Sequence, residues 1–234
     1  MKGFVHSFES LAAVDGKGVR FCVFLAGCPL RCVYCHNPDT WEKKGKEFSP
    51  EEIVSKLKRY KPYFGKEGGI TFSGGEPLLQ ATFIRECVPL LQKEGIPYVI
   101  DTSGHVNLSE DVCYVLENAQ QILLDLKFWD DTSYLKFTDV DMKKTIDLLS
   151  YLNDIKKETV LRTVIVPEIN DNKECLSRYV KIARKYPCVT KHELLPFHTM
   201  GFFKYEQLGI KNPLERTKAL DPEKLEELQK EFCI

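Results

Sequence analysis

Cys28, Cys32 and Cys35 occur as Cys28-Pro-Leu-Arg-Cys32-Val-Tyr-Cys35, a C-x3-C-x2-C spacing just after an apolar run. Thiolates are soft ligands that take zinc or iron–sulfur centres, and three of them on one short loop can grip a single centre. As isolated residues they would read as small packing groups; at this spacing a metal centre is the stronger reading. The run Cys32-Val-Tyr-Cys35-His36 also fits the C-x-x-C-H of c-type haem attachment. That chemistry takes place outside the cytosol, and Met1-Lys2-Gly3-Phe4 opens no signal-like apolar segment. Structural zinc of this kind usually pairs two C-x2-C knuckles, and Cys22, Cys87, Cys113, Cys175, Cys188 and Cys233 are scattered without forming a second one. An iron–sulfur cluster remains. Three cysteine ligands leave one iron of a cubane open, and an open iron can bind a substrate, whereas a fully ligated cluster mostly carries electrons.

Further polar residues recur just past β-rich runs: Ser73-Gly-Gly-Glu76, Asp101-Thr-Ser-Gly104, Asp125-Leu-Lys127 and Pro196-Phe-His198. Each has a plain alternative. Gly-Gly is a turn, an aspartate at a strand end caps the next turn, and a lone histidine after an apolar strand is often a satisfied structural group. Their common position is the informative feature. The runs are 19–25, 69–72, 98–100, 122–124, 160–166 and 191–195, and helical patterns alternate with them near 49–60, 81–93, 109–117, 141–152 and 173–185, with a last one announced by Asp221-Pro222-Glu223. Ser49-Pro50-Glu51-Glu52 supplies a capping box with proline in the first turn. Alternating strand and helix predicts an α/β fold with parallel strands, here a partial TIM-type (β/α)6 barrel. Active sites of such barrels sit at the C-terminal ends of the strands, so these loops are expected to converge in one mouth, with Arg162 also facing it. Residues 200–220 show no clear element and are expected to cover the mouth or meet a partner.

The whole chain sets the remaining limits. It has 234 residues with 33 Lys+Arg against 34 Asp+Glu, a net charge of -1. Cations interspersed with acids give no basic stripe for nucleic acid. The longest uncharged apolar stretch, 21–30, is about half of a membrane crossing. A cytoplasmic location is expected, where an odd total of nine cysteines is no disulfide framework. No linker or internal repeat interrupts the chain, so a single domain over 1–234 is expected, with a cluster loop at 26–41 and a C-terminal loop and helix at 199–234.

The C-x3-C-x2-C loop with Tyr34 before its last cysteine resembles the cluster motif of the radical S-adenosylmethionine (SAM) superfamily. In order along the chain, His6–Ser10, Val14–Arg20, Tyr34–Trp41, Ser73–Pro77, Asp125–Lys127 and Leu194–His198 resemble that superfamily's activases of glycyl radical enzymes. The absence of a cysteine-rich insert between Cys35 and Ser49 favours the pyruvate formate-lyase branch. Lys17 departs from the family, which commonly has proline there.

The resemblance implies a [4Fe-4S] cluster on Cys28, Cys32 and Cys35, with SAM chelating the open iron. It implies SAM contacts at Tyr34, Cys35, His36, Gly74, Gly75, Glu76, Asp125, Leu126, Lys127 and His198. Asp101, Thr102, Asp125 and the Leu123 carbonyl resemble ligands of a monovalent cation, Na+ or K+, beside the SAM carboxylate. Asp15 and His36 would hold the partner's glycine loop. The implied reaction is reductive cleavage of SAM to methionine and a 5′-deoxyadenosyl radical, which takes a hydrogen from a glycine Cα of pyruvate formate-lyase. A flavodoxin or ferredoxin reductant is implied, with no nucleic-acid or membrane partner, and a monomer is expected. Three alternatives stay open: an activase of another glycyl radical enzyme, a radical SAM enzyme acting on a small molecule or RNA, and a zinc-stabilised binding module.

Overall fold

Each of the six apolar runs is a parallel strand whose polar successor lies at its C-terminal end. The structure, a computed structural model, describes residues 1–233; Ile234, last in the expected domain, lies outside the described residues. In chain order the elements are β1 (Gly3–Ala12), β2 (Arg20–Leu25), β3 (Lys46–Phe48), α1 (Pro50–Lys58), β4 (Gly69–Gly74), α2 (Ala81–Lys93), β5 (Tyr98–Thr102), α3 (Glu110–Asn118), β6 (Gln121–Asp125), α4 (Asp131–Thr138), α5 (Lys143–Asp154), β7 (Thr159–Ile165), α6 (Lys173–Lys185), β8 (Val189–Pro196), α7 (Phe202–Leu208) and α8 (Pro222–Phe232). The strands form one eight-stranded sheet in the order β3-β1-β2-β4-β5-β6-β7-β8. From β2 to β8 every neighbour is parallel, which is the expected half-barrel.

Three additions correct the sequence reading. β1 pairs antiparallel with β2, and β3 antiparallel with β1; their mixed polar and apolar residues match antiparallel strands with one solvated face rather than buried parallel ones. α4 follows Lys127, capped by Asp130, whose carboxylate accepts from Ser133 N at 2.8 Å. The 200–220 segment contains α7, a helix too short for its periodicity to stand out.

Local chemistry explains the long elements. Ser49 Oγ accepts from Glu52 N while the Glu52 carboxylate accepts from Ser49 N at 2.7 Å, the reciprocal cap that opens α1. Ser109 and Asn172 cap α3 and α6 in the same manner from one side only. Because strand side chains alternate faces, Ile100, Ile122, Leu124 and Leu161 pack under the helices in the main core. On the other face, Val99, Leu123 and Val160 make a small separate cluster inside the half-barrel. That cluster is an apolar floor, and the next inward residues, Asp101, Asp125 and Arg162, stand above it at the mouth.

Candidate active site

The mouth holds a cavity of about 330 Å³ lined by Asp15, Cys28, Cys32, Tyr34, Cys35, His36, Gly74, Gly75, Asp101, Thr102, Asp125, Lys127 and Arg162, among others. The loops after β2, β4, β5 and β6 therefore meet at one place beside Arg162 and Val164 of β7, and most residues singled out from the sequence belong to its wall.

The cysteine loop is held by backbone hydrogen bonds. Gly27 N donates to Thr40 O at 2.8 Å and Cys28 N to Trp41 O at 3.1 Å, closing the loop on itself. Arg31 N and Val33 N donate to Thr138 O and Phe137 O at the end of α4, so the helix missed in the sequence is what the loop leans on. Across the mouth the turn after β4 packs directly on it: Glu76 N donates to Gly27 O at 2.8 Å, and a Cβ on Gly75 would lie 2.3 Å from Gly27 O. Only glycine allows that approach. Gly74, at φ +114, adopts a backbone region that side chains disfavour.

The charged wall is a network centred on Arg162. β6 and β7 pair Asp125 with Arg162 in register. Arg162 Nε donates to Asp125 Oδ1 at 3.0 Å, and its Nη2 donates to Asp101. Ser73 Oγ donates to Asp101 Oδ2 at 2.6 Å, and Lys127 Nζ to Asp125 Oδ2 at 2.7 Å. Burial pushes the Asp101 carboxyl up to about 6; Arg162 pulls it back, and the nearby Asp125 charge adds to the rise. Burial also acts on Asp125, but Arg162 and Lys127 more than offset it and hold that carboxyl below the usual range. Burial opposes the Lys127 charge as well, yet Asp125, with Tyr34 and Cys32 nearby, keeps its ammonium protonated well above the ordinary lysine range.

Four expected contacts are placed differently. The Glu76 carboxylate turns away from the cavity: it accepts from Thr102 Oγ1 at 2.7 Å, Ser103 N at 2.9 Å, Ser103 Oγ at 2.5 Å and Leu78 N at 3.0 Å. Its side chain ties the β4 turn to the β5 turn, and only its backbone remains near the mouth. The Leu126 side chain is buried in the core, so its approach to the mouth is also through backbone. His198 lies behind the wall, its ring stacked on His36 with centroids 3.6 Å apart and planes 11° from parallel. Of the expected cation ligands, Asp101 and Asp125 are bridged by Arg162 and the Thr102 hydroxyl donates to Glu76.

His36 itself faces the cavity. A carbonyl only accepts, so the 2.8 Å contact from His36 Nε2 to His198 O fixes the proton on Nε2. Burial, reinforced by His198, lowers the His36 pKa to about 4, and the ring is neutral near pH 7. Asp15 reaches the wall because its loop is pinned: Thr71 Oγ1 donates to Asp15 O at 2.7 Å, and buried Arg20 donates to Lys17 O at 3.1 Å. Lys17, the family departure, pairs with Glu158 at 2.8 Å. Sequence reasoning missed Asn37, Thr40 and Trp41 as wall residues, although they lie within the stretch that carried the resemblance.

The fit to a thiolate-bound cluster rests on the donor set. Cys28, Cys32 and Cys35 all line the cavity and are unbridged. Burial raises all three thiols, Cys28 to about 12, while Lys127 pulls each the other way. Metal uptake at neutral pH must therefore displace their protons. The Tyr34 hydroxyl is buried without a partner at the same wall, and the close-packed glycine turn gives a ligand backbone groups to meet. Soft thiolates, an unpartnered phenol and a mixed-charge wall suit a cluster with a polar organic ligand.

Comparison with protein families matches residues 22–177 to the radical SAM superfamily. The chain is 43% identical over 232 residues to the pyruvate formate-lyase-activating enzyme of Clostridium pasteurianum, covering 97% of this chain and 96% of that one. It is 38% identical over 235 residues to the enzyme of the same name from Staphylococcus epidermidis, covering 97% and 94%. The chain belongs to the radical SAM superfamily, in the family of pyruvate formate-lyase-activating enzymes. Among solved structures, a domain of a pyruvate formate-lyase-activating enzyme from Bacteroides vulgatus superposes with a TM-score of 0.57 at 21% identity over 70% of this chain and 91% of that one. A radical SAM methyltransferase from Sphaerobacter thermophilus gives 0.64 at 14% identity over 90% and 62%. At those identities the structures show the shared fold. No helix among the described residues is long and apolar enough to cross a membrane.

Proposed function

We propose that this radical SAM enzyme activates pyruvate formate-lyase by oxidising one of its glycine residues, with a [4Fe-4S] cluster on Cys28, Cys32 and Cys35 and SAM in the mouth. The single observation that carries the reading is the convergence of those three thiols with the β4 turn and the Asp101–Arg162–Asp125–Lys127 network around one cavity. When bound, cluster and SAM supply a one-electron cleavage of the sulfonium that gives methionine and a 5′-deoxyadenosyl radical able to take a glycine Cα hydrogen. The protein positions and shields. Backbone carbonyls of the glycine turn would accept from the SAM ammonium, and Lys127 and Arg162 would hold its carboxylate. A Na+ or K+ ion beside that carboxylate would have to displace Arg162 from Asp101 and Asp125. His36, with its Nε2 proton committed to His198 O, offers Nδ1 as an acceptor. Asp15 at the rim faces the incoming glycine loop. A flavodoxin or ferredoxin supplies the electron, and the enzyme works in the cytoplasm as a monomer.

Anaerobic reconstitution with iron and sulfide, followed by electron paramagnetic resonance with SAM, reductant and pyruvate formate-lyase, tests this reading. The expected result is a reduced-cluster signal perturbed by SAM and then a glycyl radical on the partner. Cys28→Ala, Cys32→Ala or Cys35→Ala removes SAM cleavage, whereas Cys87→Ala lowers stability alone. A purified sample with one zinc per chain and no iron chromophore overturns the reading.

A further inference from the structure

The segment beyond β8 does not close over the mouth; it grips the cysteine loop from behind. Tyr205, buried on α7, donates its hydroxyl to Cys35 O at 2.9 Å. One residue earlier, Lys204 Nζ donates to Asn37 Oδ1 at 2.7 Å and pairs with Asp39 Oδ2 at 2.9 Å, on the turn that follows Cys35. Gly201 abuts His36: a Cβ there would lie 2.4 Å from His36 O. These groups do not themselves line the cavity; they back it, holding the loop's backbone, the Asn37 and Asp39 side chains and, edge-on at 6.2 Å between centroids, the Trp41 ring.

We propose that Tyr205 and Lys204 are positioning residues that hold the Cys35–Asp39 turn in its cavity-facing shape before any cofactor binds. The physical reason is the weakness of the loop's own bonds. Cys35 N donates to Cys32 O and Thr40 N to Asn37 O, short-range bonds within the turn; Gly27 N on Thr40 O and His6 Nε2 3.0 Å from Asp39 Oδ2 hold its far end, and α7 adds the ties at Cys35 O and the Asn37 side chain. The strap supplies a neutral hydrogen bond to a part-buried carbonyl and a charged one to a side-chain pair. The inference rests on the cluster reading for its catalytic meaning, but the positioning itself belongs to the chain alone.

Hydrogen exchange on the metal-free chain is therefore the deciding measurement, read on peptides spanning 33–41. Tyr205→Phe keeps the ring and removes one hydrogen bond, and exchange there is expected to rise about three- to tenfold, with β5 and β6 unchanged. Lys204→Met is expected to do the same, and Lys204→Arg, which restores a donor, to return exchange toward wild type. In the reconstituted protein both deletions speed iron release to a chelator by a similar factor. Unchanged exchange at 33–41 in Tyr205→Phe and Lys204→Met overturns the proposal, as does an equal rise throughout the sheet. A wild-type chain that takes up no iron sinks the cluster reading instead and leaves the exchange result standing.

Discussion

Arg162 is the residue on which the mouth's charge balance turns. Asp101 and Asp125 both face it from neighbouring strands, and its side chain is 10% exposed. Arg162→Met leaves two buried carboxylates without their shared partner, and loss of one member of a buried ion network costs roughly 3–5 kcal/mol. Chemical denaturation at pH 7 is expected to show a loss of that size, partly recovered at pH 5 as Asp101 takes up a proton. His192, buried on β8, gives a second residue-level test. Burial lowers its pKa to about 4, below its unfolded value near 6.5. The unfolded chain therefore binds the extra proton first, so this group's contribution is complete above pH 6.5 and is lost as pH falls toward 4, by about 1.4 kcal/mol per pH unit. Asp101, raised to about 6, acts in the opposite sense over part of that window. The measurement is thus the difference between wild type and His192→Gln, whose stability curves should converge as pH falls; parallel curves would show that His192 is not held neutral.

At the scale of elements, the β4 turn and the cysteine loop act as one unit because two backbones meet without side chains between them. Gly75→Ala puts a Cβ against Gly27 O and 3.1 Å from Cys28 Cβ. Backbone cannot swing aside as a side-chain tip can, so the loop must move, at an overpacking cost of about 1–3 kcal/mol. Iron bound per chain after reconstitution is expected to fall even where circular dichroism shows the fold intact. Some elements were plain in the sequence and others were not. The capping box at Ser49 and Glu52 and the Asp221-Pro222 start of α8 announced their helices because capping is a local transaction between neighbouring residues. α4 and α7 have eight and seven residues, barely two turns, too few for the buried Tyr134 of α4 and Tyr205 of α7 to read as a helical period. Tyr205, within α7, carried no sequence signal for the same reason.

For the whole molecule, an open half-barrel leaves edges that must be managed. At one end β8 carries exposed Lys191 and paired Glu193, and α8 covers part of it. Gln229 Nε2 donates to Leu194 O at 3.0 Å, and Leu228 and Phe232 are buried. Truncation after Leu220 uncovers that strand and removes both apolar anchors, so light scattering is expected to report association at concentrations where the full chain stays dispersed.

Sequence alone determined the parallel α/β class, six of the eight strands, the three-cysteine loop and the family. Strand alternation, caps and ligand spacing are short-range patterns, written within a few residues of one another. Only the tertiary structure decided which polar groups are free to act. It turned the Glu76 carboxylate into a tie between two turns, set His198 behind His36, and filled the space between Asp101 and Asp125 with Arg162. It also brought Tyr205 to Cys35 across 170 residues. Those outcomes depend on which buried donors and acceptors satisfy one another once distant strands are in register, and a buried polar group takes the nearest partner the fold provides.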